Sequence, residues 1–376
     1  MQRILVINGA NTRSSAAAEG DGPTTLADVD RVLANWGQEL DIGVDPVHAS
    51  DDDAVLHALL QPRADYDGVI LSRGTGAGPN QLIADALAHL DVPFVEVDPT
   101  SAGPRSAGRG VDSTTGYRIH GRGLDGYRWA LRHLVYRAAW PVTTHRSNEH
   151  PDRVADLRLP DRQGPHPIMV LYHGGFWREH WTRDLMDGLA VDLVQRGRAT
   201  WNVEYRRIPP LGGWRTSMQD AADAVDALQQ FGSRSALDLD DVTLLGHSAG
   251  SQLAVMAAVS ARMVRPRRVV SLAGVLDIAA VYDATDPENG PNRFLGSDGP
   301  AAFRSTSPIE QVPTGVRQLV VHGTRDDVVP IDVSRTYAAV AGAAGDDVET
   351  LWLNDVGHME VIEPDSDAWT AVAARL

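Results

Sequence analysis

The stretch VTLLGHSAGSQLAVMAAV, residues 242–259, joins an apolar, β-branched run to an apolar helical run through the pentapeptide Gly246-His247-Ser248-Ala249-Gly250. A G-x-S-x-G sequence alone arises by chance in many chains. Between a buried strand and a helix it predicts a nucleophile elbow, in which glycines flank the serine because the turn is strained and crowded. Ser248 is therefore the candidate nucleophile, its hydroxyl exposed at the start of a helix.

A serine hydroxyl attacks only when a base takes its proton, and the base must be oriented by a carboxylate. In α/β-hydrolases the order is serine, acid, histidine, with the last two in loops after later strands. Asp326 follows the strand-like QLVVHG in HGTRDDVVP, and His358 follows TLWLND in DVGHME. Asp327 competes for the acid role, but H-G-x-x-D-x-x-V-P resembles the acid loop of that family, with the first aspartate as the acid. Oxyanion donors are expected from the N–H of Ala249 and from the turn His173-Gly174-Gly175-Phe176-Trp177. Gly175 and Phe176 are preferred there over Gly174. Trp177 and His247 are expected to line the substrate pocket, and the irregular stretch between Asp277 and Val312 to cap it.

Working outward, IMVLYH (168–173), ATWNVEY (199–205), VTLLGH (242–247), VVSLAG (269–274), QLVVHG (318–323) and TLWLND (350–355) read as buried parallel strands. Helical segments such as MQDAADAVDALQQF separate them. A similar alternation opens the chain, with strands at ILVI (4–7), GVIL (68–71) and FVEV (94–97). Leu26, Val29, Val32, Leu33 and Trp36 form one helical face, and a last helix is expected around Gly126–Val135. PVTTHRSNEHPD then breaks the periodicity. Two α/β domains follow, at 1–138 and 139–376, in keeping with a length of 376 residues.

The motifs HGGFW, WNVEYRR, GHSAG, HGTRDDVVP and the final GH make the second domain resemble the esterase and kynurenine formamidase (arylformamidase) branch of the α/β-hydrolases. The resemblance implies small acyl substrates: aryl formamides, carboxylic esters or amides. The first domain resembles type II 3-dehydroquinate dehydratase, through ILVINGAN, TTLADV, ADALAHLDVPFVEV and GLDGYRWALRHL. That likeness implies a flavodoxin-like sheet and assembly into homo-oligomers. It also places Asp21 where the family has its reactive tyrosine, Ser72 for a substrate-binding asparagine, Gly78 for a histidine, and Asp98 for another histidine. Asn8, Asn11, Arg105 and Arg109 stand at or near family positions, where a small anion or ordinary loop structure explains them equally. Gly74, Gly76 and Gly78 lack the context of a nucleotide-binding turn.

A formal charge of −16, from 50 acidic and 34 basic residues with no basic run, opposes nucleic acid and anionic membrane as partners. The chain has no cysteine, which excludes thiolate chemistry and suits a cytoplasmic location. MQRILVINGAN is too short an apolar stretch for a signal-peptide core, and no later run approaches the roughly 20 residues of a membrane span. His145 and His150 come nearest to a histidine cluster, and their turn-rich setting argues for a solvated loop rather than a metal.

The leading expectation is a cofactor-independent serine hydrolase, with a non-catalytic first domain that drives self-association. A lyase acting through the first domain is the alternative, against which Asp21, Ser72 and Gly78 stand. A non-enzymatic scaffold is disfavoured by the intact order of serine, aspartate and histidine.

Overall fold

A computed structural model describes residues 1–11, 25–61, 65–74, 80–98, 116–147, 150, 152–208, 213–234, 236–283, 285–286 and 288–376. The chain divides into two compact units, Met1–Trp140 and Pro141–Leu376.

The first unit holds a five-stranded parallel sheet in the order β2-β1-β3-β4-β5. Its strands are β1 (Arg3–Asn11), β2 (Gly43–Ala49), β3 (Gly68–Gly74), β4 (Phe94–Asp98) and β5 (Gly116–His120). β1, β3 and β4 are the expected apolar runs, buried in the middle of the sheet because helices cover both faces of such sheets. β2 and β5 were not foreseen, since both are edge strands. β2 carries Pro46, which an edge tolerates because no ladder bond is lost there, and exposes three of its residues. The helix Leu26–Glu39 starts at a capping box, with Thr25 and Asp28 each accepting the other's backbone N–H, and buries Val29 and Leu33. The helix Asp125–Ala139 is longer than expected at both ends.

In the second unit eight strands form one sheet, ordered β13-β12-β11-β10-β8-β9-β7-β6. They are β6 (Thr143–Arg146), β7 (Val154–Arg158), β8 (His166–Tyr172), β9 (Ala199–Val203), β10 (Leu237–His247), β11 (Arg268–Leu272), β12 (Arg317–Gly323) and β13 (Val348–Leu353). β8 to β13 are the six anticipated strands, mutually parallel where they pair. β6 and β7 add an antiparallel edge. The sequence hides β7 because its buried face is partly ionic. Asp156 accepts from Arg183 Nε at 2.8 Å and Arg158 donates to Asp187 at 2.8 Å, and both strand residues are fully buried. Such charges survive burial only when paired.

The stretch 218–231 is helical only in its first part, within Trp214–Asp226, and then tightens to a 3-10 helix over Ala227–Arg234. His145 packs against the rings of Trp201 and Phe231 at 5.3 and 5.0 Å, and His150 accepts the N–H of Asp152 through Nδ1. Among the described residues no helix is long and apolar enough to cross a membrane.

Candidate active site

β10 runs into the helix Ala249–Ser260, and Ser248 at the junction has φ 53° and ψ −121°, a conformation that costs a non-glycine residue of order 1–3 kcal/mol. The neighbouring strands hold it there. Its N–H donates to the Leu272 carbonyl at 2.9 Å, and its own carbonyl accepts from Ser251 and Val275. The crossing of helix and sheet is so close that a Cβ on Gly250 would lie 2.1 Å from the Tyr172 carbonyl oxygen. That contact, rather than a need for positive φ, explains the second glycine of the pentapeptide. As the first residue of its helix, Ala249 has an N–H without an acceptor in that helix.

Opposite the elbow, the turn after β8 approaches Ser248. A Cβ on Gly174 would come within 3.0 Å of Ser248 Cβ. Gly175, Phe176 and Trp177 all have positive φ, at 106°, 50° and 57°. Three successive residues in that region need outside support, and His173 anchors the turn. One ring nitrogen of His173 lies 2.8 Å from the Gly174 carbonyl, and the other 2.8 Å from Glu204 Oε1, with Tyr205 stacked on the ring at 4.4 Å. Burial pushes the Glu204 carboxyl up, but the charges of Arg207, His173 and Arg183 outweigh it and hold the group at about 2.

The expected acid and base meet. Asp326 Oδ2 lies 2.7 Å from His358 Nδ1, and Asp326 Oδ1 accepts the backbone N–H of Val328 and Val329 at 2.9 and 2.8 Å. Burial raises the Asp326 carboxyl, yet hydrogen bonds from His322 and His358 keep it well below the usual carboxylate range. Asp327 is solvent-exposed. His358 is tied to the elbow through its neighbour, since His247 Nε2 donates to the His358 carbonyl at 3.1 Å.

Two expected pocket residues sit elsewhere. Trp177 is fully buried, stacks on Phe294 at 4.0 Å, and donates from Nε1 to Gln252 Oε1 at 3.2 Å, so it is core rather than pocket wall. His247 is 1% exposed and packs beside His358 with ring centroids 4.7 Å apart, so it belongs to the buried packing against His358 rather than to an open pocket wall. Phe176 is the half-buried aromatic of the turn, and a Cβ on Gly290 would strike its ring at 2.6 Å. The stretch after Asp277 therefore reaches the turn, and the Glu288 carbonyl accepts from Arg178 at 2.7 Å. Gln252 ties three segments together, because its Nε2 donates to the Thr306 carbonyl at 2.9 Å.

Sequence reasoning missed Glu204, Gln252 and His322. His322 left a signal four positions before Asp326 in H-G-T-R-D, and Glu204 stands within WNVEYRR.

In the first unit, Asn8 and Ser72 are buried, and Asn8 Oδ1 accepts from Tyr127 Oη at 2.7 Å. Asp98 is exposed at the end of β4, and Gly74 ends β3 with φ 79°. The side chain of Asn11, and Asp21, Gly76, Gly78, Arg105 and Arg109, lie outside the described residues. Among the described residues no group of three or more His, Asp or Glu side chains is placed to hold a metal.

The elbow, sheet and strand order of the second unit are those of an esterase-like α/β-hydrolase fold, and the parallel sheet of the first unit is similar to that of a class II dehydroquinase domain. Residues 155–340 match the family BD-FAE, and residues 2–135 match Dehydroquinase class II. Esterase LipQ of Mycobacterium tuberculosis is 27% identical over 196 residues, covering 48% of this chain and 46% of LipQ. The chain thus spans less than half the length of that esterase. A catabolic 3-dehydroquinase of Aspergillus oryzae is 28% identical over 138 residues, or 35% of this chain and 90% of that protein. Among solved structures, a truncated carbohydrate esterase from gut microbiota superposes with a TM-score of 0.54 at 18% identity, over 63% of this chain and 95% of its own. Carboxyl esterase 2 of Tuber melanosporum gives 0.54 at 16% identity, over 63% and 84%. At such identities these likenesses bear on the fold alone.

Proposed function

We propose that the second unit cleaves small carboxylic esters or aryl formamides through an acyl-enzyme on Ser248. The observation that carries this reading is the strained Ser248 at the strand–helix junction together with the 2.7 Å pair of His358 and Asp326. His358 takes the Ser248 proton as Oγ adds to the substrate carbonyl carbon. The carbonyl π electrons move to oxygen, where the N–H groups of Ala249 and of Gly175 or Phe176 meet the developing charge. Collapse expels the alcohol or amine, which leaves with the proton held by His358. A water molecule, deprotonated by the same histidine, then releases the acid and restores Ser248.

No metal or cofactor enters these steps. The half-buried Phe176 supports an aromatic or short acyl substrate at the turn. Purified protein treated with a fluorophosphonate is expected to label at Ser248. A screen of p-nitrophenyl esters, N-formyl anilines and anilides is expected to give turnover in the first two classes. Absence of labelling and of turnover overturns the reading.

For the first unit we propose a non-catalytic role in self-association. Family histidine and asparagine positions hold Asp98 and Ser72, and dehydration needs a base and donors held together.

A further inference from the structure

His322 is the penultimate residue of β12 and is fully buried, four residues before Asp326. Its Nε2 lies 2.9 Å from the Val329 carbonyl oxygen and 3.0 Å from Asp326 Oδ2. A carbonyl oxygen only accepts, so Nε2 carries the hydrogen and Nδ1 accepts from Ser334 Oγ at 2.7 Å. Ser334 is itself fully buried in the helix Ile331–Ala343. His358 Nδ1 reaches the same Oδ2 at 2.7 Å. One carboxylate oxygen thus faces two imidazole nitrogens, His358 Nδ1 and the Nε2–H that His322 shares between this oxygen and the Val329 carbonyl, while the other oxygen receives two backbone N–H groups.

Resting on the serine-hydrolase reading above, we propose that His322 is a positioning residue that sets how strongly Asp326 holds His358, and with it the pH range of the reaction. The charge on Oδ2 is shared between its donors. An N–H from His322 draws electron density from that oxygen and leaves less to stabilise a positive charge on His358. Removing it makes the carboxylate the stronger acceptor for His358, so the protonated imidazole persists to higher pH. It also frees Oδ2 from the direction imposed by β12, so the base is less well aimed. His247 is the other buried titratable group against His358, through its ring and its bond to the His358 carbonyl. Arg325, Asp327, Asp355 and Glu360 lie on the same loops but are exposed, so solvent and salt screen them.

The test compares His322→Leu, His322→Gln and Ser334→Ala with wild type on p-nitrophenyl acetate, reading kcat and KM across pH, with thermal melts as a folding control. His322→Leu is expected to lower kcat about tenfold to a hundredfold at nearly unchanged KM. The acid limb of kcat/KM is expected to move up by roughly half a unit. His322→Gln, whose amide still donates, should recover most of both effects. Ser334→Ala perturbs only the tautomer and should move the limb the same way by less, which decides the matter if His322→Leu does not fold. An acid limb unmoved in folded His322→Leu, or in Ser334→Ala where the leucine variant fails to fold, overturns the proposal. Wild-type turnover by Ser248→Ala would instead remove the serine reading on which it rests.

Discussion

Asp326 Oδ2 and His358 Nδ1 lie 2.7 Å apart although 32 positions separate them in the chain, whereas the adjacent Asp327 points to solvent. Asp326→Asn is expected to cut kcat by about a thousandfold or more, because an amide can present N–H to Nδ1 and favour the wrong tautomer. Asp327→Asn should stay within about twofold. Steady-state kinetics on the two variants check this, and a dead Asp327→Asn would reassign the acid.

Ser248→Ala should remove ester hydrolysis by several orders of magnitude while the protein still folds. A second consequence follows from φ 53° at this position. Glycine adopts that region without steric cost, so Ser248→Gly should be at least as stable as Ser248→Ala, by up to about 1 kcal/mol, despite its greater freedom when unfolded. Urea melts of the two inactive variants compare them directly. A markedly less stable glycine variant would show that the elbow carries little strain.

Burial, reinforced by the neighbouring His358, lowers His247 from 6.5 to about 3. The unfolded chain takes up this proton near pH 6.5, and the folded chain only near pH 3. Protonation between those values therefore favours unfolding, and His247 contributes a loss of stability as pH falls from about 6.5 toward 3. His247→Gln should be less stable than wild type at pH 7.5, with a shallower decline between pH 7 and 5. Equal slopes for the two proteins would exclude His247 as the source.

The first unit is expected to leave 3-dehydroquinate unchanged, as followed by ultraviolet absorbance of the conjugated product. Light scattering of the full chain is expected to give a mass of several copies. Measurable dehydration would revive the lyase alternative, and a monomer would remove the role in self-association.

The elbow was legible because its requirements are local: a strand, two glycines around a serine, and a helix, all within residues 242–259. Asp326 and His358 were legible by order, since each follows a buried strand of one parallel sheet. β2 escaped because edge strands need no apolar run, and β7 because its buried face is completed by Arg183 and Asp187 from elsewhere. Trp177 was misplaced for a related reason. An aromatic in an active-site turn looks the same in sequence whether it faces the cleft or, as here, Phe294. The His173–Glu204 bond is likewise a tertiary event spanning 31 positions, with nothing local to announce it.

The side-chain amide of Gln252, one turn into the helix that begins after Ser248, receives Trp177 on one side and holds Thr306 on the other. The helix after Ser248, the turn after β8 and the segment at Thr306 are thereby coupled through a single planar group. Directed evolution for new acyl groups should accordingly find cap mutations that leave Thr306 and Gln252 in place, and should pay in turnover when either changes. Substrate choice in this enzyme is then free to drift only around a fixed pivot.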